Sequence, residues 1–161
     1  WEGLYKTAIE YTKWSDSKTP DIPNDGKPFF VHDYPFHYFQ AGVKSLGQDF
    51  FDGEKLSFSP EYKTAWDLYS KAAFSGGIWL GNAYATEALR TGDAIASAAS
   101  SASVLYYENI VTYDDNTSED VEIIAMPYPH FENEKNLLCS AAADFALQNP
   151  TPNAKEPRAP L

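Results

Sequence analysis

The chain has 161 residues, enough for one domain with a buried core, and 43% of them are hydrophobic. Its 23 acidic residues against 12 basic ones leave a formal net charge of -11. That argues against nucleic acid or an anionic membrane as partner, since both reward lysine and arginine, and no apolar run approaches the roughly 20 residues of a spanning helix.

Residues 1–14 place Trp1, Leu4, Tyr5, Ala8, Ile9, Tyr11 and Thr12 at helical spacing, which predicts an amphipathic helix. The polar stretch 15–27 holds Pro20, Pro23 and Gly26 and reads as a loop. Phe29-Phe30-Val31-His32 is a short apolar run suited to a buried strand. Pro35 sits well as the first residue of a helix that reaches Leu46 and is closed by Gly47. Ser59-Pro60-Glu61 opens another helix with a cap, a proline at the first position and an acid in the first turn. Tyr62, Ala65, Trp66, Tyr69 and Ala73 share one face of it, which assigns Trp66 and Tyr69 to the core.

Shorter helices are predicted over 82–90 and 103–110. Between them Gly92 supplies a left-handed turn after Arg90, and small residues over 94–99 form a strand that opens into a serine-rich turn. Asp114-Asp115-Asn116-Thr117-Ser118 reads as a turn ahead of a strand over 121–125. The lone cysteine, Cys139, excludes an internal disulfide and, set in an apolar run, reads as a buried inert thiol. Pro150, Pro152, Pro157 and Pro160 predict an extended tail over 149–161, leaving 1–148 as the folded domain. Strands alternating with helices give an α/β class with a small mixed sheet flanked by helices.

Several constellations invite a catalytic or metal reading and fail on spacing. His32, Asp33 and His37 are interrupted by Pro35 and have no third strong ligand nearby, so no metal is assigned. Asp114, Asn116, Ser118 and Asp120 alternate oxygens as a calcium loop does. The loop's glycine position is Glu119, however, and its terminal glutamate position is Ala125, leaving an acidic solvated hairpin. No nucleophile elbow, dinucleotide fingerprint or phosphate loop is present, and Ser97, Ser100, Ser101 and Ser103 have no evident base. With 23 carboxylates some pair always spans a cleft, so a glycosidase cannot be read from them. No catalytic residue and no cofactor is assigned.

Binding chemistry remains. The chain is unusually aromatic, with 10 Phe, 11 Tyr and 4 Trp, and sugars are held by rings against their C–H faces and by planar amides, carboxylates and hydroxyls. Any single ring serves a core equally well. Loops and strand ends offer such groups at His32, Asp33 and Tyr34, at Trp79 with Asn82 and Tyr84, at Ser100 and Ser101 and at Tyr128. Of these, Asp33, Tyr34, Trp79, Ser100, Ser101 and Tyr128 are candidate ligand-binding residues.

Four segments, in order, carry a resemblance. Trp1-Glu2-Gly3-Leu4 opens the first helix, and Phe58-Ser59-Pro60-Glu61-Tyr62 with Ala65-Trp66-Asp67-Leu68-Tyr69 forms a later one. The run from Leu89-Arg90-Thr91-Gly92-Asp93-Ala94 to the serine-rich turn comes next, then Val121-Glu122-Ile123-Ile124-Ala125-Met126-Pro127-Tyr128-Pro129. Together they resemble the second lobe of the extracellular solute-binding proteins of bacterial ABC importers, the sugar-binding group, over roughly residues 1–131. The family's Gly-rich return strand and the Trp-containing helix after it do not appear, and nothing corresponds to the first lobe.

The resemblance implies one lobe of a type II periplasmic-binding-protein-like fold, with Ser97 to Ser101 as part of the cleft wall, and so adds Ser97 to the candidate ligand-binding residues. It implies a monomer that captures a sugar or other small polar solute between two hinged lobes, Trp1 lying near a crossover, and delivers it to an ABC permease without covalent chemistry. It also implies an extracytoplasmic location, periplasmic or as a cell-surface lipoprotein. Starting at Trp1 rather than Met, the chain is expected to be a processed or excised piece whose secretion signal or lipid-attachment cysteine lay upstream. The competing readings are a secreted carbohydrate-active enzyme domain and an aromatic-rich adhesion or interaction module.

Overall fold

The computed structural model describes residues 1–134 and the backbone of 144–150. Helix α1 (Glu2–Asp16) buries Tyr5, Ala8 and Thr12, the spacing that puts one side chain per turn on a single face. The Thr12 hydroxyl lies within reach of the Ala8, Lys27 and Gly76 carbonyls (3.1, 3.0 and 3.2 Å), and its single proton serves one of them at a time. That hydroxyl ties the helix to the polar loop after it and to the end of a distant helix.

Strand β1 (Phe30–His32) is buried along its whole length, and α2 (Pro35–Ser45) follows, with proline in its first turn. A two-stranded hairpin, β2 (Phe51–Asp52) and β3 (Lys55–Leu56), leads to α3 (Pro60–Phe74), where the Ser59 hydroxyl accepts from the Tyr62 N–H at 3.1 Å. Helix α4 (Ala85–Arg90) is shorter than the predicted 82–90. Its start is set from outside: Tyr84 is extended, and the Asp33 carboxylate, 52 positions away, accepts the Ala85 N–H at 2.9 Å. Gly92 ends it in the left-handed region at φ +73, where a Cβ would stand 2.5 Å from the Tyr113 ring.

The main sheet has the order β1-β4-β7-β6-β5, built from β4 (Ala96–Ala99), β5 (Ile110–Thr112), β6 (Ser118–Met126) and β7 (Asp144–Pro150). β1 and β4 are parallel, with Val31 opposite Ser97, and the other pairings between these strands are antiparallel. Alternation along β1 and β4 sorts the core into two. Phe30, His32, Ala96 and Ala98 face a large aromatic cluster with Trp1, Tyr5 and Tyr38 beneath α1, α2 and α3. Val31 faces the opposite side, where Ala85, Ala88, Leu89 and Ala94 pack around α4. The molecule is therefore a small mixed sheet flanked by helices, as its alternating pattern predicts.

Three local expectations are corrected. Trp66 is 47% exposed rather than core, stacked on Phe39 at 5.8 Å. The buried face of α3 runs through Ala65, Leu68, Tyr69 and Ala72, one position round from Trp66, with alanines where the neighbouring helices come close. The helix predicted over 103–110 is a 3-10 helix, Ser101–Tyr106, with no buried residue to hold a longer helical face. Strand β7 occupies a place where no strand is predicted, and its last two residues, Asn149 and Pro150, pair with Glu122 and Val121. Cys139 and the tail beyond 150 lie outside the described residues.

Candidate functional site

Where parallel strands end, their chains part and leave a crevice, a recurrent ligand position in α/β sheets. Here β1 continues as Asp33-Tyr34-Pro35 into α2, while β4 continues as Ser100-Ser101 into the 3-10 helix. Two hollows open at this edge. The first, about 370 Å³, is floored by His32, Ala98 and Ala99 and walled by Tyr34, Phe36, His37, Gln40, Ser100 and Tyr128. The second, about 410 Å³, is lined by Asp33, Tyr34, Tyr84, Thr86, Ser100, Ala102, Ser103 and Tyr106. Tyr34 and Ser100 line both, so the two hollows adjoin along this edge and together make up the groove.

The floor is tightly packed and uncharged. His32 stacks on Trp1 at 5.2 Å, and its Nε2 shares a 2.6 Å hydrogen bond with the Tyr5 hydroxyl. Burial lowers its imidazole to about 3, which keeps it neutral across the physiological range. Tyr128 meets Trp1 edge-on at 5.1 Å, and burial raises its phenol well above the ordinary range. The Tyr38 hydroxyl donates to the Ala65 carbonyl at 2.9 Å, anchoring α2 to α3 behind the floor. No lysine or arginine lines either hollow among the described residues.

Of the seven candidates, the structure gathers Asp33, Tyr34, Ser100 and Tyr128 in the groove. Ser101 stands exposed at the start of the 3-10 helix and lines neither hollow. Two candidates lie elsewhere. Ser97 is fully buried on the α4 side of the sheet, its hydroxyl 2.6 Å from that of Tyr107. Trp79 packs against the α4 core, half-buried, held there because its N–H bonds the Phe30 carbonyl at 2.8 Å. Strand alternation turns Ser97 away from the cluster that floors the first hollow.

The groove also holds residues not singled out for binding: Phe36, His37 and Gln40 from one face of α2, and Thr86, Ser103 and Tyr106 around the second hollow. The spacing of 36, 37 and 40 is a helical face readable from the sequence once Tyr34 is placed at the edge.

The other constellations have local explanations. The Asp115 carboxylate accepts both the Thr117 N–H (2.9 Å) and its hydroxyl (2.6 Å), bonds that hold it below the usual carboxylate range. The segment is the exposed turn of the β5–β6 hairpin. Among the described residues, no group of three or more His, Cys, Asp or Glu is placed to hold a metal, and no helix is long and apolar enough to cross a membrane. Compared with known proteins, the chain matches no family model, no curated protein and no solved structure.

Proposed function

We propose that this chain is a ligand-binding lobe of an extracellular solute-binding protein serving an ABC importer, and that its solute is a sugar or oligosaccharide. The observation that carries the reading is the groove across the carboxyl ends of β1 and β4. It is lined by Tyr34, Tyr84, Tyr106 and Tyr128 and supplied with neutral hydrogen-bonding groups from Gln40, Thr86, Ser100 and Ser103. Rings with hydroxyl and amide partners, and no lysine or arginine among the described residues, match a polyhydroxyl ligand better than a phosphate or carboxylate.

On this reading the fold is the second lobe of a type II periplasmic-binding-protein-like architecture. The groove is one wall of a cleft that a partner lobe closes by hinge motion, expelling water, before delivery to a membrane permease outside the cytoplasm. The chemistry is binding alone. Trp1, which the resemblance places near a lobe crossover, packs edge-on against Tyr128 of the groove wall.

One lobe keeps about half the contacts. Losing even ~4 kcal/mol weakens binding about a thousandfold, so a micromolar site becomes a millimolar one. Titration of the chain with maltotriose, followed by NMR, is expected to shift Tyr34 and Tyr128 with millimolar affinity and no turnover. Micromolar binding to this chain alone, or release of a cleaved sugar, would reject the transport-lobe reading in favour of a self-contained module or an enzyme.

A further inference from the structure

The two hollows of the groove differ in charge. The first is floored by a neutral imidazole and small apolar side chains. The second gathers three tyrosines around a carboxylate: Tyr34, Tyr84 and Tyr106 line it with Asp33, and Asp33 carries the only formal charge on its walls among the described residues. These rings are 55%, 72% and 71% exposed, an unusual state for three tyrosines around one hollow. No close ring pair joins them among the described residues, whereas the rings of the main core meet one another tilted or edge-on, and the hollow lies between these tyrosines.

We infer that this second hollow is a subsite for an organic ammonium group, so that the solute entering the groove carries a cation beside its hydroxyl-bearing part. The inference rests on reading the groove as a solute site. Aromatic rings attract a cation through their quadrupoles, and a carboxylate supplies the opposite charge. The Asp33 carboxylate is held in place because one of its oxygens accepts the Ala85 N–H at 2.9 Å, which fixes its position without neutralising it. The Ser100 and Ser103 hydroxyls, 3.3 Å apart on the same wall, add acceptors for an ammonium that carries protons. A formal net charge of -11 draws cations toward the molecule and repels anions.

Two sources share this chemistry, quaternary and primary ammonium groups, and a titration separates them. Choline, ethanolamine and neopentyl carbinol (the uncharged carbon isostere of choline) are each added to the chain at physiological ionic strength, with binding followed by tyrosine and backbone NMR shifts. At least one of the two cations is expected to bind at least about tenfold more tightly than neopentyl carbinol, with shifts centred on Tyr84 and Tyr106. The variant Asp33→Asn keeps an oxygen to accept the Ala85 N–H, so α4 stays capped, and the charge is gone. It is expected to lose that preference, while Tyr84→Ala and Tyr106→Ala, both at exposed positions, weaken cation binding. A preference for choline over ethanolamine assigns the subsite to alkylated ammonium groups, and the reverse to primary ones. Equal binding of neopentyl carbinol and the cations, undiminished cation binding by Asp33→Asn, or no cation binding at millimolar concentrations would overturn the inference. A parallel maltotriose titration read at Tyr128 reports on the sugar reading separately, because that ring lies only in the first hollow.

Discussion

Acidification from about pH 7.5 to about pH 5 loads a proton demand onto His32 that the folded chain refuses. The imidazole is packed among Trp1, Phe30, Tyr38 and Tyr69 at the base of the first hollow, and burial lowers it to about 3. In the unfolded chain it titrates near ~6.5. Because the folded value lies below the unfolded one, the stability that His32 contributes is complete above about pH 6.5 and drains away as the pH falls towards the folded value. At about pH 5 the unfolded imidazole is almost wholly protonated while the folded one is neutral, which costs about 2 kcal/mol relative to pH 7.5.

That is a large share of a marginal folding free energy of ~5–15 kcal/mol. Protonating carboxylates works the other way, since it relieves the self-repulsion of a chain with formal net charge -11. His32→Gln removes the imidazole while leaving an amide to meet the Tyr5 hydroxyl, so the difference between native chain and variant isolates the histidine. Urea unfolding followed by tryptophan fluorescence at the two pH values is expected to show the native chain losing about 2 kcal/mol more than the variant. Proton NMR of the His32 ring gives an independent check that needs no variant. A ring titrating between about pH 6 and 7 in the folded state, or identical pH slopes for the two proteins, would refute the buried neutral imidazole.

Alkaline pH has the opposite sign. Burial raises the phenols of Tyr5, Tyr38 and Tyr128 above 10.0, so their contribution holds below the unfolded value and is lost as pH climbs through the raised ones. Absorbance of tyrosinate is expected to show a late group of tyrosines whose ionisation coincides with loss of tertiary circular dichroism. Gly42→Ala places a Cβ 2.7 Å from the Phe131 ring, a crowding that is expected to cost about 1–3 kcal/mol despite alanine's helix preference, read as a lowered urea midpoint. Ser59→Ala removes the cap of α3 and is expected to cost about 1 kcal/mol, with Ser59→Asp restoring it; unchanged stability in Ser59→Ala would contradict the cap.

What could be read in the sequence was local. Ser59-Pro60-Glu61 marks the start of α3 because the cap and proline act within one turn, and Gly92 marks a left-handed turn because few other residues accept that backbone. What could not be read was set by distant partners. The first turn of α4 is defined by Asp33, far along the chain, so residues 82–84 stay non-helical despite their pattern. Strand β7 contains alanine, glutamine, asparagine and proline, weak strand formers that are ordered by neighbours on both sides. The site divided the same way. Asp33, Tyr34, Ser100 and Tyr128 sit at element ends, which sequence pattern locates, whereas the side to which Ser97 points depends on where β4 lies in the sheet.

The position of β7 has a consequence for how the chain acquires its shape during synthesis. The strand that joins β4 to β6 is the last in sequence among the described strands, so until residues 144–150 arrive these strands can pair only as two separate pieces, β1 with β4 and β5 with β6. Each piece meanwhile exposes an unpaired inner edge, a template for pairing with other chains. A nascent or truncated product ending before residue 144 is thus the aggregation-prone form, and β7 acts as a keystone whose arrival pairs both inner edges. The groove inherits part of this dependence. Its His32 and Tyr34 side is carried by the early β1–β4 pair, whereas Tyr128 follows β6, which joins that pair only through β7, so the first hollow gains its last wall when the late strand arrives.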